Sequence, residues 1–214
     1  MATGTVTIGV NIGSVSRSKT ISRTGSVFAD DVTPAVGQSG TLTTRTDNDT
    51  GVITINSHGL TTANKVDVGW VDADSLNQAR ARMDITSYTT DTITVDGGTG
   101  TSLPAQDTSV IVGARSAALF SANGENVKLV SLHTEPASGQ TTSRAMVDFC
   151  TSAPVSIKSG GFPLDDGEPF VWADNSPMSN PFGTDDIARI EVSSLCAATT
   201  APTVSIEVVY NADA

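Results

Sequence analysis

Apolar and polar residues alternate at both ends of this chain. Residues 3–12 (TGTVTIGVNI) place Val6, Ile8, Val10 and Ile12 on every second position, and residues 203–210 (TVSIEVVY) do the same with Val204, Ile206, Val208 and Tyr210. A period of two is the signature of a strand with one buried face. Residues 15–24 (VSRSKTISRT) alternate less cleanly and read as the return strand of a hairpin, with the turn at residues 11–14. Residues 29–40 (ADDVTPAVGQSG) read as a linker.

Between Gly51 and Gly113 the pattern becomes denser. Short strand-like stretches at 40–46, 51–56, 65–71, 81–88, 92–95 and 109–112 are separated by turns rich in Asp, Asn and Gly, such as Asp47-Asn48-Asp49-Thr50-Gly51 and Asp96-Gly97-Gly98. Those residue types tolerate left-handed backbone and close tight connections. About six short strands in series are expected to form a small barrel. Residues 72–80 (DADSLNQAR) are the one stretch of this module that reads as a helical turn or an extended loop. Beyond Gly113 the strand candidates are 117–121, 127–132, 145–150, 155–158, 169–172, 187–193 and 203–210, a spacing that suits a sandwich. The expected fold is therefore all-β: a β-sandwich built from residues 1–37 and 114–214, with a small β-barrel-like module, residues 38–113, inserted into it.

Composition agrees. Ser and Thr supply about a quarter of the 214 residues, with 19 Gly and 9 Pro as punctuation. Thr favours strands, and Ser, Gly and Pro favour turns. The net charge of −11 opposes direct binding to a phosphate backbone, so no nucleic-acid partner is expected. No apolar run has the length of a membrane helix, and the N-terminus lacks a signal-peptide pattern, so assembly in a cytoplasm is expected and a membrane partner is not. Within this acidic chain, Arg17, Lys19 and Arg23 gather three of the twelve basic residues on one strand. They form either a protected polar edge or a contact for an acidic surface.

Candidate chemistry is sparse. His58 and His133 fall in different modules and read as turn and strand-end residues, too isolated for a zinc site or a triad. Asp47, Asn48 and Asp49 resemble part of a calcium loop but lack its later Glu, and Asp165-Asp166-Gly167-Glu168 reads as an acidic turn. The Gly-rich run 96–101 has neither the Lys-Ser/Thr nor the helix that a phosphate cradle needs. Cys150 and Cys196 are either buried thiols or one disulfide. Trp172 and Phe182 lie in a turn-rich aromatic stretch that forms either an exposed contact patch or a plug in one end of the sandwich. No enzyme activity, cofactor or metal is expected.

The run GVITINSHGLTT (51–62), KVDVGW (65–70), DTITVDGG (91–98) and LPA (103–105) resembles a β module of structural proteins from tailed bacteriophages. The segment around Trp172, Asn180-Pro181-Phe182 and the closing strand 205–210 look like the remainder of such proteins. The resemblance implies a virion component. The first expectation is a capsid decoration (cement) protein that binds the major capsid protein and copies of itself as a homotrimer, with Arg17, Lys19, Arg23, Trp172 and Phe182 as contact residues. The alternatives are a tail-tube or baseplate subunit, with segment 15–36 as an arm, and a carbohydrate-binding module that would use Trp70 and Trp172.

Overall fold

The computed structural model describes all residues except 1, 13–14, 99–101, 119, 142, 153–155, 158–160, 166–168, 176, 198 and 212–214, and describes 2, 8–12, 15–19, 117 and 118 by backbone only. Seventeen strands and one short 3-10 helix, Gly124–Asn126, make up the regular structure among these residues. The strands are β1 Ala2–Ile12, β2 Val15–Val32, β3 Gln38–Arg45, β4 Thr50–Thr54, β5 Lys65–Val71, β6 Asn77–Tyr88, β7 Thr92–Asp96, β8 Ser109–Ala114, β9 Ser116–Ala118, β10 Ala122–Asn123, β11 Val127–Glu135, β12 Ala145–Cys150, β13 Phe162–Leu164, β14 Phe170–Ala173, β15 Asp186–Ile187, β16 Arg189–Ser194 and β17 Thr203–Tyr210.

Strands β3 to β8 close into a six-stranded antiparallel barrel in the order β3-β4-β7-β6-β5-β8. Its interior is aliphatic: Leu42, Ile53, Val66, Val68, Met83, Ile93, Val95 and Val112 are wholly buried, and Trp70 packs against the same cluster. Each comes from the inward phase of an alternating strand, so the barrel fills with its own side chains. Nine of the other strands form two facing sheets, β1-β2-β17-β11-β14 and β13-β12-β16-β9, and β10 pairs with β15 as a separate two-stranded sheet. Between them lies an aromatic core in which Phe149, Phe162, Phe182 and Trp172 meet edge-on or tilted. The chain is thus an all-β sandwich carrying a closed barrel.

Local details sharpen or correct the sequence reading. Of the helical turn or extended loop open to 72–80, the loop forms over 72–76. Asp72 accepts hydrogen bonds from the backbone N–H groups of Asp74 (3.0 Å) and Leu76 (2.9 Å) and from the Gln78 side chain (2.8 Å), which ties 72–76 into a loop and lets β6 start at Asn77. Most of the supposed linker 29–40 is strand: residues 29–32 pair with β17, and β3 starts at Gln38, which leaves 33–37 as the connection. The short strands β10, β13 and β15, of two or three residues each, carry too little alternation to be read from the sequence. Of the expected strand 155–158, Val155 and Lys158 lie outside the described residues, and Ser156 makes an isolated bridge to Cys150.

The barrel sits close against the sandwich. A methyl group at Gly113 would overlap the Ser194 carbonyl oxygen, and one at Gly37 would come within 2.7 Å of the same oxygen. Glycine therefore permits a backbone approach that a larger residue would force apart.

Candidate functional site

Two features stand out from the packing: a cluster of buried charges where barrel meets sandwich, and a long hairpin that leaves the five-stranded sheet.

The cluster is drawn from five separate segments. Asp67 sits at a β-bulge between β5 and β6, which points it out of the barrel between the inward Val66 and Val68. Opposite it, Arg82 has φ +53°, a backbone region that costs a non-glycine residue on the order of 1 kcal/mol or more. Its N–H donates to Asp67 Oδ1 at 2.7 Å. From the sandwich come Asp148 of β12 and Glu191 of β16, and Arg115 lies between β8 and β9 at the chain's second crossing between the modules. The Arg115 guanidinium donates to both Asp67 oxygens (2.7–3.0 Å), to Asp148 Oδ2 (2.5 Å) and to Glu191 Oε2 (3.3 Å). Arg82 pairs with Glu191 and donates to Cys150 Sγ at 3.2 Å. Ser193 completes Asp67, Ser156 completes Asp148, and Arg189 reaches Glu191 at 2.8 Å.

Burial by itself would lower the Arg115 pKa, but the charges and hydrogen bonds of Asp67 and then Asp148 outweigh it and hold the guanidinium more firmly protonated than usual. Burial would likewise raise Glu191, but the Arg82 hydrogen bond and charge, with Arg115 and Arg189, bring its carboxyl below the usual range. Burial, then the charges of Asp148 and Glu191, push the Cys150 thiol up to about 12. Asp148, Cys150 and Glu191 place ligand atoms within 4.8 Å of one another, a metal-like grouping. The donor set does not suit a cation. Two arginines already occupy its carboxylate oxygens and would have to be displaced by a metal ion. The cluster works as a clamp between modules. Arg144 adds a second tie, from its Nη2 to the Gln78 carbonyl oxygen of β6 at 2.6 Å.

The hairpin pairs β1 with β2 from Ala2–Gly25 to Ile12–Val15, while β17 pairs only with the rest of β2, from Ser26 to Val32. Near Gly25, where a Cβ would come within 2.6 Å of the Tyr210 carbonyl oxygen, the hairpin leaves β17 and crosses the outer face of its own sheet. Gly4 rests on Val209, where even a methyl would overlap that side chain. Val6 and Ile21 pack on Leu129, Val209, Val27 and Val171. Arg23 Nε donates to Asp174 Oδ1, just past β14, at 2.6 Å. On the solvent side Thr5–Ser22 and Thr7–Thr20 bridge the strands. Backbone pairing continues for six further residue pairs beyond Val6–Ile21, which extends the arm by about 20 Å.

The contact residues expected from the sequence separate into three groups. Arg17 and Lys19 lie on the arm's backbone ladder opposite Val10 and Ile8. Arg23 is engaged by its own sandwich. Trp172 (3% exposed) and Phe182 (1% exposed) plug the sandwich core, which corrects their reading as an exposed patch. Trp70 is buried as well, at 7% exposed, so neither tryptophan offers an open stacking face to a sugar.

The other candidates resolve into turns. Asp47 accepts from the N–H groups of Asp49 (2.8 Å) and Thr50 (2.7 Å), and these bonds lower its pKa. His58 Nδ1 accepts from the Leu60 N–H at 2.9 Å, and its Nε2 faces the Thr92 carbonyl oxygen at 3.2 Å, so it staples the barrel rim. His133 pairs with Glu135. Cys150 and Cys196 are both buried thiols with no disulfide between them. Residues 99–101 of the Gly-rich run and 166–168 of the acidic turn lie outside the described residues.

The buried cluster was missed in the sequence, although a signal existed: Asp67, Asp148 and Glu191 are single acids inside otherwise apolar strands (KVDVGWV, AMVDFC, RIEVSS). The chain matches no protein-family model, and comparisons with curated proteins and with solved structures give no match either.

Proposed function

We propose that this chain is a structural subunit of a multi-copy particle, and specifically a virion protein that decorates the head shell of a tailed bacteriophage. The observation that carries the first part is mechanical. A stiff two-module body, clamped by buried ion pairs, holds out a long paired arm whose root is seated by Val6, Ile21 and Arg23. The backbone hydrogen bonds of the arm are already made between β1 and β2, which lowers the ordering cost of docking it to a neighbour. The phage assignment rests on the sequence resemblance of the 51–105 module. Many weak arm contacts repeated over a lattice would stabilise the shell by avidity.

A tail-tube subunit is the second reading. The arm favours it, because a hairpin that continues a sheet is the element a tube uses to link subunits into a ring. Microscopy and shell binding of the purified protein separate the two: a decoration protein co-sediments with empty head shells and does not stack, whereas a tube subunit forms rings that stack into tubes and does not bind shells. Failure to bind shells, combined with absence of rings, overturns both readings.

A further inference from the structure

The outer face of the five-stranded sheet is divided in two. Register puts Val27, Val209, Leu129 and Ala173 at one end, and there the hairpin root covers the apolar surface. Toward the other end the same face carries Asp31, Ser205 and His133 in one row, Glu207 and Ser131 in the next, and Glu135 beyond. Asp31 and Glu135 are exposed, so the chain's own arm leaves them open. Asp31 and Glu207 line a shallow groove of about 590 Å³ on this face together with Ser131, His133 and Ser205. Glu207 also lies beside Gly4 of the arm root, and Glu135 joins the groove through its pair with His133. The arm, by contrast, carries Arg17 and Lys19 beyond the last described contact with its own body, with no acidic residue between Ala2 and Ala29.

We infer that the arm of one copy docks on the acidic half of the outer sheet face of a second copy. Arg17 and Lys19 then meet Asp31, Glu135 and Glu207. This rests on the reading of the chain as an assembly subunit and names the recipient of its arm. Charge complementarity selects the partner face and steers encounter. The donor and acceptor surfaces are different parts of the chain, so the contact is head-to-tail and generates a ring or a filament. The apolar positions of the β1 alternation, Ile8, Val10 and Ile12, run through the same stretch of the arm.

The test uses two full-length variants, Arg17→Glu/Lys19→Glu and Asp31→Lys/Glu135→Lys, each checked for native circular dichroism. Sedimentation velocity is run at low and high salt. Wild type is expected to self-associate at low salt and to dissociate as salt screens the pairs. Each variant alone is expected to be monomeric, because its arm and face repel. The equimolar mixture is expected to regain assembly, because each arm then meets a face of opposite sign. A wild type that stays monomeric at low salt, or variants that assemble alone as wild type does, overturns the inference. A mixture that stays monomeric overturns it as well. Shell co-sedimentation is scored separately. Shell binding without self-association sinks this inference and spares the decoration reading, and self-association without shell binding does the reverse.

Discussion

The barrel and the sandwich solve the edge problem of β-sheets differently. The barrel closes on itself, so every strand from β3 to β8 has two hydrogen-bonded neighbours and no template edge is offered. Its core is aliphatic and self-contained. The sandwich is open. Its larger sheet ends in β1 and β14, its core is knitted from aromatic rings supplied by both sheets, and its first two strands leave as an arm. Closure leaves one module without a free strand edge, and openness leaves the other with edges at β1 and β14. The buried ion cluster sits between them and ties side chains of both modules together.

The comparison breaks most sharply at Arg115. Arg115→Ala leaves Asp67 and Asp148 buried without their main cation, and a loss of about 3–5 kcal/mol is expected in urea unfolding. The same variant should separate the melting of the two modules if the cluster couples them, and calorimetry would read that as two transitions in place of one. A barrel fragment spanning 38–114 is expected to fold alone, since its core draws on no sandwich residue. A collapsed amide spectrum from that fragment would refute the independence of the closed module.

Core truncations should differ between the modules. Phe149→Ala removes a ring that contacts Phe120, Phe162 and Phe182, and is expected to cost about 3–5 kcal/mol. Ile53→Val in the barrel should cost only about 0.5–1.5 kcal/mol. Equal losses would argue against an aromatic core as the main support of the sandwich.

The junction should also report on pH. The folded Glu191 pKa lies below its ordinary value of 4.5. Its contribution to stability is therefore present above that value and is lost as pH falls through the folded pKa. Glu191→Gln should flatten that acid limb. Cys150 has the opposite sign: its folded pKa is raised from 9.0 to about 12, so its contribution is present below 9.0 and is lost as pH climbs toward 12. At neutral pH the thiol should resist a disulfide reagent until the protein is unfolded, and rapid labelling of native protein would contradict its burial. The smallest effect is expected at the arm root, where Arg23→Ala removes a partly exposed pair and should cost about 1 kcal/mol or less.

The strands were legible because alternation at period two is a local property. Val6 to Ile12, Val204 to Tyr210 and the short barrel strands announce one buried face each, and the Asn, Asp and Gly turns mark their ends. The sequence left 72–80 open between a helical turn and a loop, because a run of helix-tolerant residues gives no sign that the Asp72 carboxylate will take up the backbone N–H groups. Nor could the sequence choose between plug and patch for Trp172 and Phe182. Their burial depends on residues distant in sequence, such as Phe149 against Phe182 and Val130 beside Trp172, and only the closing of one sheet over the other settles it.

What the sequence determined by itself was chain-local: an all-β fold, a string of short strands between Gly51 and Gly113, an acidic chain with one basic strand. Tertiary structure decided everything that requires distant residues to meet. It joined Asp67, Arg82, Arg115, Asp148 and Glu191 into a buried clamp, and it turned β2 away from β17 near Gly25 so that the arm crosses its own sheet. It also left half of that sheet face open and acidic. The physical reason is that alternation fixes which way a side chain points from its strand, while pairing and packing fix what it finds there.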